Sequence, residues 1–372
     1  MPLVIFAWGN FFLKGGINRN DDVSVITAHG SRLISSSESL SHNTPKFVIL
    51  GYPYWGITVA AEAWGALMAK KVQNKFLRFL LRVHRSHKLN NIFELPFKAV
   101  WDNALFDAGR LNPEDDVYFL FFGGFPMVYS TNYLRHLKAK YRHCRLVRCF
   151  MNPIAGPHVA ELQSWQSVKE YYDAAITLNR RDAEKHGFLF CEYWPTLLPD
   201  KDYQPENASD VFLCAAAKDR LSKILDVYER LTDSGLKCDF WITGVPKKQQ
   251  KYSQSIHYTE DITNHWLTYD EILQKDMNTK CILEILPFGQ NYSSIRVCEA
   301  LWYHKKLLTT NQEAPREWFY HPEIVQCFTN AEDINPECIR KPLTSEDEQR
   351  IFGSMVIGDF GVFADWLIKN VG

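Results

Sequence analysis

No apolar run in this 372-residue chain is long enough to span a bilayer. The segment from Leu3 to Leu13 comes nearest, but it is short, has no basic stretch before it, and leads into Lys14-Gly15-Gly16. It reads as a strand and a loop. Excess charge of one sign is missing too. The 42 Lys and Arg nearly cancel the 43 Asp and Glu, which argues against a general nucleic-acid binder. The nine cysteines are odd in number and contain no C-x-x-C pair. That argues against structural zinc and fits reduced thiols in a cytoplasmic protein. Internal repeats and long low-complexity tracts are absent. Asn207-Ala-Ser and Asn291-Tyr-Ser match the N-glycosylation pattern, which carries no weight without a secretory signal.

What is present is length enough for two domains with ample core, and aromatics at 14%, the stock that both sugar sites and interfaces draw on. The stretch from Lys280 to Asn311 organises the chain. Cys281 to Leu286 is a nearly continuous apolar run, the pattern of a strand buried on both faces. Pro287, Phe288, Gly289, Gln290, Asn291 and Tyr292 form a loop. Ser293 or Ser294 can cap the helix after it, whose apolar face is Val297, Ala300 and Leu301. Leu307 to Thr310 is the next strand. This βαβ unit implies a parallel sheet, with the helix N terminus at the carboxyl end of the first strand, where open α/β sheets bind ligands. A helix N terminus with free N–H groups and two hydroxyls suits an anion. Arg296 adds a permanent charge suited to a diphosphate. Glu299 would repel phosphate and suits sugar hydroxyls instead. Equally, Arg296 and Glu299 can be an i,i+3 surface pair.

The rest of the chain repeats the pattern. Lys46 to Tyr52, Val117 to Phe122, Arg145 to Met151, Ala174 to Leu178, Val211 to Ala217 and Cys238 to Thr243 read as strands, with helices through Tyr133 to Tyr141, Arg180 to His186 (capped by Asn179), and up to Leu231. Gly123-Gly124 lies at the carboxyl end of a strand. Lys218 and Arg220 lie at the end of another, at a helix start where the dipole disfavours cations, which points to a phosphate partner. Pro195 to Asp210 reads as a linker, and Asp200-Lys-Asp202 within it as solvated linker rather than a metal-holding D-x-D pair. Residues 60–88 lack proline and have one glycine, Gly65. On a wheel of ~100° per residue, Val72, Phe76, Phe79, Leu80 and Val83 share a face, and Lys71, Lys75, Arg78, Arg82 and Arg85 flank it. This is the pattern of a helix on an anionic membrane surface, or of one packed on the sheet with a solvated basic flank.

The run Ser293-Ser294-Ile295-Arg296-Val297-Cys298-Glu299-Ala300-Leu301, followed by Lys306-Leu307-Leu308-Thr309-Thr310-Asn311, resembles the donor-site signature of GT-B-fold glycosyltransferases, most closely the bacterial capsule and lipopolysaccharide type. The resemblance implies an α/β fold of two doubly wound, Rossmann-like domains facing a cleft. It implies an acceptor-side domain over 1–198, a linker over 199–210, a nucleotide-sugar domain over 211–345, and a helix over 346–372 crossing back to the first domain. It makes Glu299 the ribose residue and places Lys218, Arg220, Ser293, Ser294 and Arg296 on the donor diphosphate. Gly289, Gln290, Asn291 and Tyr292 fall near the donor sugar, the helix near Thr268 and Tyr269 near the base, and Gly15, Gly16, Gly123 and Gly124 in cleft loops. Tyr292 stands where many relatives carry a second Glu. The implied reaction moves a sugar from a nucleotide-sugar to a glycan or lipid-linked glycan in cell-surface polysaccharide assembly, at the inner membrane face, with no cofactor and no metal. A general base would come from His29, Asp102 or His158. A non-catalytic homologue that binds glycan or partners an active transferase, and a nucleotide-sugar epimerase, are the alternatives.

Overall fold

The computed structural model describes residues 45–372 except 52, 87–88, 90–91, 94, 124, 126, 155–158, 193, 262–266, 288–289, 291, 293 and 354–359. Among these residues the chain forms two units. One takes in the chain up to Leu197 and again from Phe360; the other takes in Leu198 to Gly353.

The first unit is built on strands β1 (Lys46–Leu50), β2 (Leu67–Met68), β3 (Asp116–Phe121), β4 (His143–Phe150), β5 (Ala174–Thr177) and β6 (Leu189–Phe190), in the order β2-β1-β3-β4-β5-β6 and parallel throughout. Period-2 alternation sends Val48, Leu50, Phe119 and Phe121 into one apolar layer and Phe47, Ile49, Tyr118 and Leu120 into the other. Both layers are buried, which is why these strands read as unbroken apolar runs. Helices α1 (Trp55–Trp64), α2 (Lys75–His84), α3 (Thr131–Lys140), α4 (Val159–Gln166) and α5 (Arg180–His186) connect the strands. Asn179 caps α5 by accepting from the Asp182 N–H.

The expected helix over residues 60–88 is not continuous. Gly65 ends α1 in the left-handed region, φ +96°, its N–H donating to the Ala61 and Glu62 carbonyls. Leu67 and Met68 then pair with β1 as a strand, and the chain turns helical again only after Asn74, which caps α2 by accepting from Phe76 and Leu77. Lys71 and Val72 therefore lie outside the helix on which the wheel placed them.

The second unit carries β7 (Ser209–Ala216), β8 (Cys238–Thr243), β9 (Ile256–Thr259), β10 (Thr279–Glu284), β11 (Lys306–Thr309) and β12 (Val325–Cys327), in the order β12-β11-β10-β7-β8-β9, again all parallel. Ser209 and Asp210, expected in the linker, already belong to β7. Helix α6 (Leu221–Asp233) buries Ile224, Val227, Tyr228 and Leu231 on one face of the sheet. Helix α7 (Tyr269–Met277) starts from a reciprocal cap between Thr268 and Glu271. Helix α8 (Ile295–Trp302) packs Val297, Ala300 and Leu301 on the other face. Helix α9 (Ser345–Phe352) comes next, and the last helix, α10 (Phe360–Val371), buries Phe360, Phe363, Ala364 and Leu367 against the β1 and β3 layer of the first unit's sheet. Among the described residues no helix is long and apolar enough to cross a membrane.

Candidate functional site

In the second unit the chain leaves β7 towards β8 and β9, then returns to lay β10, β11 and β12 on the other side. The strand order reverses between β7 and β10, and the carboxyl ends of these two strands mark the crevice where doubly wound sheets take ligands. Lys218 and Arg220 emerge there. Lys218 is exposed and holds φ at +43°, a left-handed backbone that a residue with a Cβ adopts only at a cost. Arg220 is the residue preceding α6. Its Nε donates to the Ala216 carbonyl at 3.0 Å, and its Nη1 donates to the Ile285 carbonyl, so the guanidinium straps the ends of β7 and β10 together. Burial lowers the Arg220 pKa to about 10, against the pull of Asp219 and Glu284. Lys218 is lowered as well, by partial desolvation of its ammonium first and then by Arg220. Among the described residues no carboxylate lies within ion-pair distance of Arg220. Two cations thus share a helix start with a weakened hold on their protons, with Asp219 and Glu284 acting against that.

The opposite wall is the loop into α8. Ser294 caps the helix, its Oγ accepting from the Arg296 N–H at 3.2 Å. Glu284, the last residue of β10, sends a buried carboxylate to the same place. Its Oε1 accepts from the Ser294 N–H at 2.6 Å and its Oε2 from the Thr309 hydroxyl at 2.5 Å. The start of α8 therefore already holds one internal anion, which sequence reasoning missed because Glu284 reads as the tail of an apolar strand.

Arg296 and Glu299 do not face this crevice as expected. Arg296 Nη2 donates to Glu299 Oε1 at 2.8 Å and Nε lies 2.8 Å from Oε2 in the ion pair, while Nη1 lies 3.5 Å from Asp276. The Tyr269 hydroxyl donates to Glu299 at 2.9 Å. Glu299 and Asp276 have no exposed surface at all. The i,i+3 pair is real, but it points at α7 rather than at solvent, since the other side of α8 is taken by Val297, Ala300 and Leu301. Both side chains, expected at the ribose and the diphosphate, here contact each other and α7. Burial pushes both carboxyls up, Asp276 to about 7, against the pull of Arg296. One arginine cannot neutralise two buried carboxylates. The two-point contact goes to Glu299, so the retained proton belongs to Asp276.

In the loop expected near the donor sugar, Gln290 donates to the Tyr292 carbonyl at 3.3 Å, and both residues are half-buried. Gly123 is exposed just after β3. Asp102, the one candidate base among the described residues, is buried and fixed by His136 at 2.7 Å and Lys140 at 3.0 Å. Burial raises its pKa, but His136 and Lys140 outweigh that and hold it below the ordinary value, a poor proton acceptor. These contacts tie α3 to the turn that Asp102 opens. His29, His158, Gly15, Gly16, Gly124, Gly289, Asn291 and Ser293 lie outside the described residues.

No protein-family model matches the sequence, and no curated protein sequence does. Among solved structures the chain is similar to an α-glucosyltransferase in complex with UDP-glucose and DNA containing an abasic site, at TM-score 0.51 and 11% identity over 87% of this chain and 98% of that one. It is similar also to an α-glucosyltransferase in complex with UDP and a 13-mer DNA containing a HMU base, at TM-score 0.51 and 10% identity over 88% and 99%. Identity this low speaks for the fold alone. The fold is that of the GT-B class, two Rossmann-like α/β units each on a parallel six-stranded sheet.

Proposed function

We propose that this chain moves a sugar from a nucleotide-sugar donor to an acceptor hydroxyl, with the donor diphosphate at the switch point between β7 and β10. The observation that carries the reading is Arg220: a largely buried cation at the carboxyl ends of both strands, without a carboxylate partner among the described residues. As the glycosidic bond to the diphosphate breaks, negative charge grows on the leaving oxygens. Arg220 is already immobilised by two carbonyls, so it stabilises that charge without having to reorganise. Lys218 reaches the same charge from the loop. Glu284 takes the Ser294 N–H, so in this site the cations contribute more than the helix N terminus does. With these two cations supplying the charge, transfer proceeds without a metal.

The acceptor in this reading is a glycan or lipid-linked glycan of cell-surface polysaccharide assembly, by the resemblance of the Ser293 to Leu301 run to the capsule and lipopolysaccharide type. Helix α2 supports it: Phe76 and Phe79 are 65% and 58% exposed, while Leu81 anchors the helix in the core. An amphipathic helix that keeps aromatics in water beside arginines fits a place on an anionic membrane surface.

A thermal-shift screen with UDP, GDP, CMP and dTDP tests the donor site, since a ligand that binds only the folded state raises apparent stability by mass action. One nucleotide should stand out, and its sugar conjugate should be transferred or slowly hydrolysed. If no nucleotide raises the melting temperature at millimolar concentration, the donor assignment is overturned. Conversion of the donor sugar with no acceptor present would make the chain an epimerase instead.

A further inference from the structure

The first unit has its own switch point. The chain runs from β1 out to β2, then returns to lay β3 on the other side of β1. At the carboxyl ends of β1 and β3 lies a cavity of about 170 Å³, bounded by Gly51 and Phe125 and floored by Leu81 and Leu105. Gly51 is held at φ +114°, and a Cβ there would come within 2.5 Å of the Phe122 carbonyl oxygen, so the wall at that point is bare backbone. The remaining wall is cationic: Lys70, Lys71, Arg78, Arg82 and Arg85 line the cavity, and no carboxylate does. Lys71, Arg78, Arg82 and Arg85 form no ion pair among the described residues, and Lys70 has only an exposed contact with Asp107 at 3.5 Å. Five like charges gathered around one cavity repel each other, and among the described residues only Asp107, beside Lys70, forms an ion pair with any of them.

We propose that this cavity binds the phosphate of an anionic lipid headgroup. The inference rests on the membrane-surface reading of α2 and adds to it a defined site. Cations around a concave, partly apolar cavity recognise phosphate, and arginines do so through paired N–H donors. The lipid source, rather than a free phosphate or a nucleic acid, is favoured by the surroundings of the cavity. On α2 the exposed Phe79 lies beside the Arg82 row. The chain beyond α2 adds more apolar surface, with Ile92 87%, Phe97 79% and Val100 69% exposed. Duplex nucleic acid keeps its bases stacked inside and would leave the aliphatic Ile92 and Val100 uncovered, whereas acyl chains cover them.

Vesicle sedimentation with the full chain separates a site from diffuse attraction. Vesicles of phosphatidylcholine carry either phosphatidic acid or oleic acid, matched in surface charge. Phosphatidic acid should bind the chain markedly better. Arg82 lines the cavity, whereas Lys75 lies on the same helix outside it. Lys75→Gln should weaken binding about fivefold, the ordinary loss for one basic residue near an anionic surface. Arg82→Gln should weaken it roughly 10- to 100-fold, the loss of a charge-assisted contact. Equal losses in the two variants, or equal binding to both vesicles, would overturn the site. If duplex DNA binds with the same Arg82 dependence, or if inorganic phosphate binds the cavity as tightly as phosphatidic acid vesicles do, the lipid assignment fails. Far-ultraviolet circular dichroism checks the fold of each variant. The UDP melting shift, read on the same preparations, reports the donor site separately, so failure of either reading is visible without the other.

Discussion

Replacing Lys218 once by alanine and once by glycine separates its charge from its backbone. Both variants remove the ammonium from the carboxyl end of β7. Only glycine relieves the left-handed backbone at φ +43°. A Cβ in that region costs roughly 1–2 kcal/mol. Glycine returns about 0.5–1 kcal/mol of this through the greater freedom of its unfolded chain. Lys218→Gly should therefore be about 0.5–1 kcal/mol more stable than Lys218→Ala in urea unfolding. The effect on nucleotide affinity runs differently. An exposed ammonium on a diphosphate contributes about 1–2 kcal/mol after solvent screening. Both variants should thus bind the preferred nucleoside diphosphate about 5- to 30-fold more weakly in calorimetric titration. Lys218→Gly then gains stability over Lys218→Ala with no gain in affinity, a split that a general loss of structure cannot produce. Unchanged affinity in both variants would remove Lys218 from the site. Equal stability of the two would mean that the backbone relaxes once the side chain is gone, and that the strain serves no purpose.

Transfer activity should persist in EDTA, because Lys218 and Arg220 supply the charge that a metal would otherwise bring; complete loss with chelator and rescue by manganese would overturn the assignment. Asp102→Asn should destabilise the chain by about 1–3 kcal/mol, the cost of breaking a buried pair reduced for the exposure of Lys140, while leaving nucleotide binding unchanged; a stable variant that has lost only turnover would restore Asp102 as the base. Asp276 holds its proton in the folded state up to about pH 7, well above the unfolded carboxyl. Between those two values the folded chain binds the extra proton, so stability falls as pH rises through that window. Asp276→Asn should flatten the fall and leave the chain more stable than wild type at pH 8, as measured by urea midpoints from pH 5 to 8. A slope that persists in the variant would place the proton on Glu299.

The sheets were legible because they are buried on both faces. Val117 to Phe122 and Cys281 to Leu286 could be nothing but central parallel strands, and their observed bounds differ by one or two residues. The edges were not legible. Leu67–Met68, Ile256–Thr259 and Val325–Cys327 are short and pair on one side only. Too few residues bury to impose a pattern, and edge strands are kept short to avoid pairing with other chains. The helix over residues 60–88 failed for a related reason. Gly65 costs a helix only about 1 kcal/mol by propensity, but here it serves as a left-handed stop, and Leu67 and Met68 just beyond it are drawn into the sheet by pairing with β1.

For the site, periodicity gave the row on which a side chain lies but not what faces that row. Arg296 and Glu299 occupy one side of α8 in either reading, and the local sequence is the same whether that side meets water or another helix. What decides it is α7, which brings Tyr269 and Asp276 from twenty or more residues earlier. Asp276 would have read as an ordinary polar residue at a helix end, yet it is fully buried and lies 3.5 Å from Arg296. The positions of Lys218 and Arg220 were legible because they depend on a strand that ends at a switch point and a helix that begins there, both local in sequence. The same distinction explains the basic cavity. Its arginines follow a helical period and were visible as a stripe, while the cavity itself depends on Gly51 and Phe125, brought together only when β1 and β3 pair. A charged stripe becomes a site when the sheet supplies the other wall, and that wall is the part a helical wheel cannot contain.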